Sequence, residues 1–506
     1  MRDKIRSVVR TIRRRFVPGD DDGDLAERTV KSGMWVSAMN VLDRVLKVVM
    51  FIVLARLLGP EAIGLMGIAL LTISALLSLT NLGIDAALIQ RVDDDVDEYL
   101  NTTFTLELLR GLVMSSILYV AAPSLASLFG EPAARDLIRV IALVPIFLAV
   151  RNPAMVYFKK DLAFHKEFAY RVSGTTAYVV VALGYAAVSP TVWALIFGYL
   201  ADASVRSVAT YFLHPYRPRP ALNRAYAAEL IGYGKWVTGS SIVEFLYGQG
   251  DDAVVGWLLT ATSLGYYQLA YRISNAPATE IAVVVSSVMF STYSKLQEDQ
   301  HALREAFFST FRLTAFVALP MSVGIYLVAP AFVGAFLGED WLPMVLAMQI
   351  LVAYGLFRTL FATFNPVWRA VGRPDVQTKL GFVRVALLAI AIVPATSAYG
   401  IAGTAFAVTG ILAFPMVPLY AREMKRTLGT TYRRFLRELS YPVAASGAMA
   451  LAVLAAQNRV GSPLVEFALL VAIGVVAYVV SAASLMTLFD WRVKQNLREL
   501  VSVMSK

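Results

Sequence analysis

The sequence predicts an all-α, polytopic membrane protein. It is expected to have about 14 transmembrane helices, arranged as two pseudo-symmetric six-helix bundles with two further helices at the C-terminus. Three observations carry this. Of 506 residues, 58% are hydrophobic and 16% charged, with a mean hydropathy of +0.62, whereas soluble domains carry roughly 25% charged residues. Apolar stretches of membrane-spanning length recur along the whole chain, and no sizeable polar domain lies between them. The chain also repeats itself. A shift of 201 positions lays Gly33, Trp35, Val36, Val53, Leu57, Leu58 and Gly64 on Gly234, Trp236, Val237, Val254, Leu258, Leu259 and Gly265 without a gap. Asp43 falls on Glu244, so an acid recurs inside an otherwise apolar segment. A period near 200 residues is too long for a solenoid and fits two homologous halves of a membrane protein.

Residues 1–28 form a tail with Arg2, Lys4, Arg6, Arg10, Arg13, Arg14 and Arg15, then Asp20, Asp21, Asp22 and Asp24. It has no apolar core of signal-peptide length. It reads either as a basic helix on the anionic cytoplasmic leaflet or as a solvated tail that sets topology. Spans are expected at 34–58, 63–90, 104–129, 134–157, 168–189, 191–213, 235–259, 264–293, 306–333, 341–368, 378–398, 401–421, 438–457 and 463–489. The first bundle then occupies 29–213, a basic cytoplasmic linker 214–227, and the second bundle 228–424. A basic loop at 425–437, two additional helices within 438–490 and a cytoplasmic tail at 491–506 complete the chain.

Loop charge orients these spans. Lys159, Lys160 and Lys166; Arg217, Arg219 and Arg224; Lys295 and Arg304; Arg369, Arg373 and Lys379; and Arg422, Lys425, Arg426, Arg433 and Arg434 all fall on one side. The opposite loops, 59–62, 260–263 and 399–400, are short and nearly free of basic residues. By the positive-inside rule both termini are cytoplasmic. The acidic run Asp93, Asp94, Asp95, Asp97 and Glu98 sits on the inner side without overturning this, since acids contribute little to orientation. The net charge of +10 is therefore a loop distribution and not a nucleic-acid-binding face. The sequon Asn101-Thr102-Thr103 lies on the inner side, where it is unused. The chain has no cysteine, which excludes disulfides and thiolate metal sites, and its three histidines lie in or near loops. No metal or cofactor is expected.

A charge at the bilayer centre costs about 2.5–3.5 kcal/mol on insertion scales, so it faces a cavity or a partner. In the first span Asn40, Asp43, Arg44 and Lys47 share one helical stripe. Asp43 and Lys47 are an i, i+4 pair, which leaves Arg44 without a local partner. Two readings stay open: an ion-pair network that fixes helix packing, or a cationic wall for an anion. Arg272 and Arg358 are further mid-span cations. Arg206 with Asp202, and Arg110 with Glu107, are spaced as structural pairs, while Arg151, Arg171 and Arg312 lie close enough to the cytoplasmic ends to snorkel. The seventh span is acidic instead: Glu244 and Asp251 share a face, and Asp252 lies about 100° round from Asp251. Carboxylates at that depth exchange protons or bind Na⁺, or else neutralise Arg272 on the next helix.

The run Ala55-Arg56-Leu57-Leu58-Gly59-Pro60-Glu61-Ala62-Ile63-Gly64 and the run Asn81-Leu82-Gly83-Ile84-Asp85-Ala86-Ala87-Leu88-Ile89-Gln90 resemble the N-terminal signature of Wzx-type polysaccharide flippases. Leu264-Gly265-Tyr266-Tyr267-Gln268-Leu269-Ala270-Tyr271-Arg272, following Asp251-Asp252, is similar to the same family. These proteins form the polysaccharide transporter branch of the multidrug/oligosaccharidyl-lipid/polysaccharide exporter superfamily. The resemblance implies two six-helix bundles around a V-shaped cavity, alternating access and a polyprenyl-(pyro)phosphate-linked glycan as cargo. It implies a secondary transporter and not an enzyme. Carried over to the cavity cations and the acids of the seventh span, the resemblance implies that Arg44, Lys47, Arg272 and Arg358 bind substrate and that Glu244, Asp251 and Asp252 couple transport to Na⁺ or H⁺; Asp43 is counted with the coupling acids as a charge of the first span. Tyr247, Tyr266, Tyr267, Tyr271 and Tyr354 are placed to stack on sugar rings or to pack the spans.

The implied setting is a prokaryotic cytoplasmic membrane, with glycosyltransferases or a polymerase of the same pathway as partners. The acidic runs at 20–24 and 93–98 depart from the family pattern and suit a salt-loving archaeal source. An organic-cation or multidrug antiporter of the same superfamily would want few central cations, which Arg44, Lys47 and Arg358 oppose. A membrane glycosyltransferase or polymerase would need longer external loops. No Gly-x-x-x-x-Gly-Lys-Ser/Thr motif is present, so ATP hydrolysis by this chain is not expected.

Overall fold

The computed structural model describes the backbone of residues 25–84, 87–88, 97–160, 163–457, 459 and 461–488; side chains at 25–49 and at a few helical positions elsewhere are outside the description. The side chains of Asp43, Arg44 and Lys47 therefore lie outside the described residues. Among the described residues there is no strand. The helices are α1 (Leu25–Leu79), α2 (Asp97–Leu128), α3 (Ala134–Ile141), α4 (Val144–Ala149), α5 (Val156–Lys160), α6 (Phe164–Val188), α7 (Trp193–Leu213) and α8 (Arg224–Leu258). They continue with α9 (Ala261–Lys295), α10 (Gln300–Phe332), α11 (Val345–Phe361), α12 (Asn365–Ala370), α13 (Pro374–Ile411), α14 (Val417–Leu428), α15 (Tyr432–Ala456) and α16 (Pro463–Leu488).

Eight helical stretches among the described residues are long and apolar enough to cross a membrane. Their surfaces agree: α16 alone exposes Leu464, Val465, Leu469, Val471, Val475, Val476, Val479 and Val480. An apolar face of that extent is solvated by lipid and not by water. The protein is a multi-pass membrane protein. The three short loops expected outside are tighter than loops. Gly59 (φ 75°) and Gly400 (φ 59°) each break a helix at a single residue, since a positive φ is open to glycine at little cost. Thr260 caps α9 by accepting from the Ser263 amide at 3.2 Å.

The chain forms two compact units: Met1–Leu58 with Ile68–Phe245, and Gly59–Gly67 with Leu246–Lys506. Helix α8 passes from one to the other between Phe245 and Leu246. In the first unit α6 packs along α7, and α2 packs on α3 and α4. Gly174 and Gly198 allow the close approach of α6 and α7, because a Cβ at either would meet the facing helix. The Arg206–Asp202 pair (2.9 Å) fills the space beside Gly174, and Arg110 pairs with Glu107 at 3.0 Å. Arg171 pairs with Glu167 at 2.7 Å, and Arg151 donates to the Leu148 carbonyl and the Tyr170 hydroxyl.

The basic linker is tied to the start of α2. The Asn101 carboxamide oxygen accepts from the Arg219 amide (2.8 Å) and from the Tyr216 hydroxyl (2.9 Å). Thr105 both donates to the Ala221 carbonyl and accepts from its amide, each at 2.9 Å. The Asn223 amide donates to Thr102, and Asn152 donates to the Tyr216 carbonyl at 2.8 Å. Two residues of the sequon thus hold the linker. Burial and the nearby Asp97 raise the Tyr216 phenol above its ordinary pKa.

In the second unit α9 packs on α11, and α10 on α11 and α15. Phe307, Phe308 and Phe311 of α10 meet Phe364 of the α11–α12 turn and Phe435 of α15 at 5.0–6.1 Å between ring centres. Glu438, nearly buried on α15, lies within 4.0 Å of Arg312, Arg434 and Arg437. Met449, Val453 and Ala456 of α15 join Leu470 of α16 and Leu327 of α10 in one buried cluster. That cluster fastens the two C-terminal helices to the unit.

Candidate functional site

Four segments of the second unit bring polar and aromatic groups together: the end of α8, the first half of α9, α11 and the first half of α13. The approach of α9 and α11 depends on Gly355. A Cβ there would lie 2.6 Å from the Ser274 carbonyl oxygen, and Ser274 in turn donates to the Met348 carbonyl at 2.8 Å. Because α11 comes so near, its Tyr354 and Arg358, one turn apart, reach Tyr271 of α9. The Tyr271 and Tyr354 rings are 5.7 Å apart, and Arg358 Nη1 donates to the Tyr271 hydroxyl at 3.4 Å.

One turn before Tyr271 on α9, the fully buried Tyr267 donates to Asp251 Oδ2 at 2.7 Å. Asp251 is itself buried, with 7% of its surface exposed. Its neighbour Asp252 points another way round α8, and Asp252 Oδ1 is buried without a hydrogen-bond partner among the described residues. At the other end of the group stands Arg384 of α13. Its Nη2 donates to the Tyr354 hydroxyl at 2.6 Å and its Nη1 donates to the Tyr247 hydroxyl. The guanidinium also lies over both rings, 4.0 Å from the Tyr247 centroid and 5.4 Å from that of Tyr354.

Of the residues singled out in the sequence, Asp251, Asp252 and Arg358 share this unit with Tyr247, Tyr267, Tyr271 and Tyr354. Arg272, on α9 of the same unit, is exposed but lies within electrostatic reach of Asp252, and Glu244 is exposed on the part of α8 that belongs to the first unit. Tyr266 turns away: its hydroxyl donates to the Asp340 carbonyl at 2.8 Å and its ring meets Trp341 edge-on. Arg384 is the residue that sequence reasoning missed. The signal was present, a lone arginine within the apolar run that follows Lys379. It lacked a charged companion at i+3 or i+4 to draw notice.

A cluster of guanidinium groups and phenols beside buried carboxylates suits a polar, anionic ligand in an apolar medium. Residues 53–346 match the family of polysaccharide biosynthesis proteins. The chain belongs to that family. Among its polysaccharide biosynthesis relatives is the lipopolysaccharide biosynthesis protein WzxC of Escherichia coli (strain K12). It is 26% identical over 420 residues, which are 83% of this chain and 85% of the relative. The teichuronic acid biosynthesis protein TuaB of Bacillus subtilis (strain 168) is 25% identical over 358 residues, 69% of this chain and 73% of its own. Among solved structures, the lipid II flippase MurJ in an inward closed conformation shares the fold. Its TM-score is 0.69 at 15% identity, over 89% of this polysaccharide biosynthesis protein and 98% of that chain.

Proposed function

We infer that this protein moves a polyprenyl-(pyro)phosphate-linked oligosaccharide across the cell membrane by alternating access, in the assembly of surface polysaccharide or glycoprotein glycan. The observation that carries the reading is the match of residues 53–346 to the polysaccharide biosynthesis family in a chain built of apolar helices. The lipid II flippase fold and the relatives' roles in lipopolysaccharide and teichuronic acid biosynthesis support it. A cargo with an anionic phosphate, a sugar and an apolar tail needs cations and aromatic faces inside a lipid-facing shell. In this reading Arg44, Lys47, Arg272 and Arg358 hold the phosphate, and Asp43, Glu244, Asp251 and Asp252 couple the cycle to Na⁺ or H⁺. The layout that goes with it has about 14 spans, two six-helix bundles, two additional helices and both termini in the cytoplasm of a prokaryotic cell. Glycosyltransferases or a polymerase of the same pathway act on either side of the transport step.

The test is translocation of a fluorescent polyprenyl-pyrophosphate oligosaccharide in proteoliposomes that hold the purified full-length chain. Signal lost to a membrane-impermeant quencher should rise with protein content. Quenching equal to that of empty liposomes overturns the reading.

A further inference from the structure

We propose that Arg384, Tyr247 and Tyr354 form an oxyanion-binding site for the phosphate headgroup of the cargo; this rests on the flippase reading above. The first ground is a contrast among arginines. Arg110, Arg206 and Arg312 each lie within 4.0 Å of a carboxylate, on Glu107, Asp202 and Glu438 respectively. Arg384 is buried, with 6% of its surface exposed, yet among the described residues no carboxylate lies within that distance of it. Its hydrogen-bond partners are two phenol oxygens. A buried charge is ordinarily paired, because its lost hydration has to be replaced by opposite charge. Phenols and ring faces attract a guanidinium without neutralising it. Asp251 lies within electrostatic reach of Arg384 but is engaged by Tyr267, and a ligand supplies the close countercharge.

The second ground is the direction of the donors. Each hydroxyl that accepts from Arg384 keeps its own proton, so Tyr247 and Tyr354 each have an O–H to donate. Arg384 thereby orients two neutral donors toward one oxyanion, and its planar fork suits a phosphate. Arg358, four residues after Tyr354 and bonded to Tyr271, adds a second positive charge to the same group. Tyr247 keeps 37% of its surface exposed beside the buried Arg384. Tyr271 and Tyr354 provide ring faces beside it for the first sugar.

The purified full-length chain in nanodiscs is titrated with farnesyl pyrophosphate, inorganic pyrophosphate and farnesol, and binding is followed by intrinsic fluorescence. Farnesyl pyrophosphate should bind and farnesol should not. Arg384→Gln should weaken farnesyl pyrophosphate binding about tenfold or more, as expected for a lost charge-assisted contact. Arg384→Lys should recover part of the loss, and Tyr247→Phe, which removes one hydroxyl and keeps the ring, should weaken binding several-fold. Displacement by inorganic pyrophosphate assigns recognition to the headgroup alone; failure to displace assigns it to the lipid-borne form. Equal affinity of the wild type and of folded Arg384→Gln and Tyr247→Phe variants overturns the site and leaves the cargo reading standing. Absence of farnesyl pyrophosphate binding to the wild type overturns both. If Arg384→Gln does not fold, Arg384→Lys and Tyr247→Phe decide the matter.

Discussion

Gly64 and Gly265, which the 201-residue shift superimposes, face each other in the structure. A Cβ built on Gly64 would collide with the Ala261 carbonyl and stand 3.0 Å from the Gly265 nitrogen. One built on Gly265 would collide with the Pro60 carbonyl and stand 3.1 Å from the Gly64 nitrogen. Pro60 and Ala261 are again 201 residues apart, so the contact is reciprocal. Reciprocity of this kind marks a twofold relation between the contacting segments. The next pair on the same shift, Gly67 and Gln268, also meets: the Gln268 carboxamide fills the place of a Gly67 side chain.

Neither glycine has room for a methyl group. Gly64→Ala and Gly265→Ala should each destabilise the protein by about 1–3 kcal/mol, the usual cost of overpacking. Gly184→Ala, where nothing lies within 4 Å of an added Cβ, should be neutral or slightly stabilising because alanine favours helix. Thermal unfolding in detergent, with fluorescent size-exclusion as the readout, separates the two cases. Equal melting temperatures for Gly64→Ala and Gly184→Ala would show that the two turns do not pack as described.

The linker gives a second prediction. Asn101 accepts two hydrogen bonds from residues 216 and 219, each worth about 1 kcal/mol net. Asn101→Ala should release the linker and speed limited proteolysis by chymotrypsin after Tyr216 or Leu222 several-fold, with little change in global unfolding. Thr105→Val, which loses both bonds to Ala221, should do the same. Unchanged cleavage in both variants would mean that the linker is held by other contacts.

The same residues show what the sequence makes legible. Composition and apolar length suffice for an all-α membrane protein, because lipid permits few other solutions. The 201-residue repeat was visible because glycine at a close contact cannot be replaced freely. Asn101 and Thr102 read as part of a sequon, since a tripeptide pattern says nothing about a linker more than 100 residues away that lies over it. Arg384 was overlooked for a related reason: its partners lie 137 and 30 residues off on other helices. Tyr266 and Tyr267 are adjacent and chemically alike, yet one faces Asp340 and the other Asp251. Which face of α9 is buried is decided by its neighbours and not by its own residues.

Orientation can be tested directly because the chain has no native cysteine. A single cysteine at Thr262, beside the cap of α9, should react with an impermeant maleimide added to intact cells. Cysteines at Lys295, at the far end of the same helix, and at Arg426 should react only after the cells are permeabilised. Labelling of Lys295→Cys from outside would reverse the topology inferred from loop charge.

The final prediction concerns energy coupling through Asp251 and Asp252. Asp251 is engaged by Tyr267, whereas Asp252 keeps a buried oxygen without a hydrogen-bond partner among the described residues. A cation bound there would gain a ligand atom that nothing else occupies. Binding can drive transport only if the ion's affinity differs between conformations, and such a difference requires the carboxylates. Asn is nearly isosteric with Asp and still accepts from the Tyr267 hydroxyl, so Asp251→Asn/Asp252→Asn should fold and retain farnesyl pyrophosphate binding. Its flipping rate in proteoliposomes should no longer change when an ionophore collapses the Na⁺ or H⁺ gradient. Tyr267→Phe serves as the control, since it removes the donor to Asp251 but leaves both carboxylates, and it should stay gradient-sensitive. A double variant that transports at the wild-type rate and still slows with ionophore would confine the two acids to a structural role, and coupling would then have to be sought at Glu244 or Asp43.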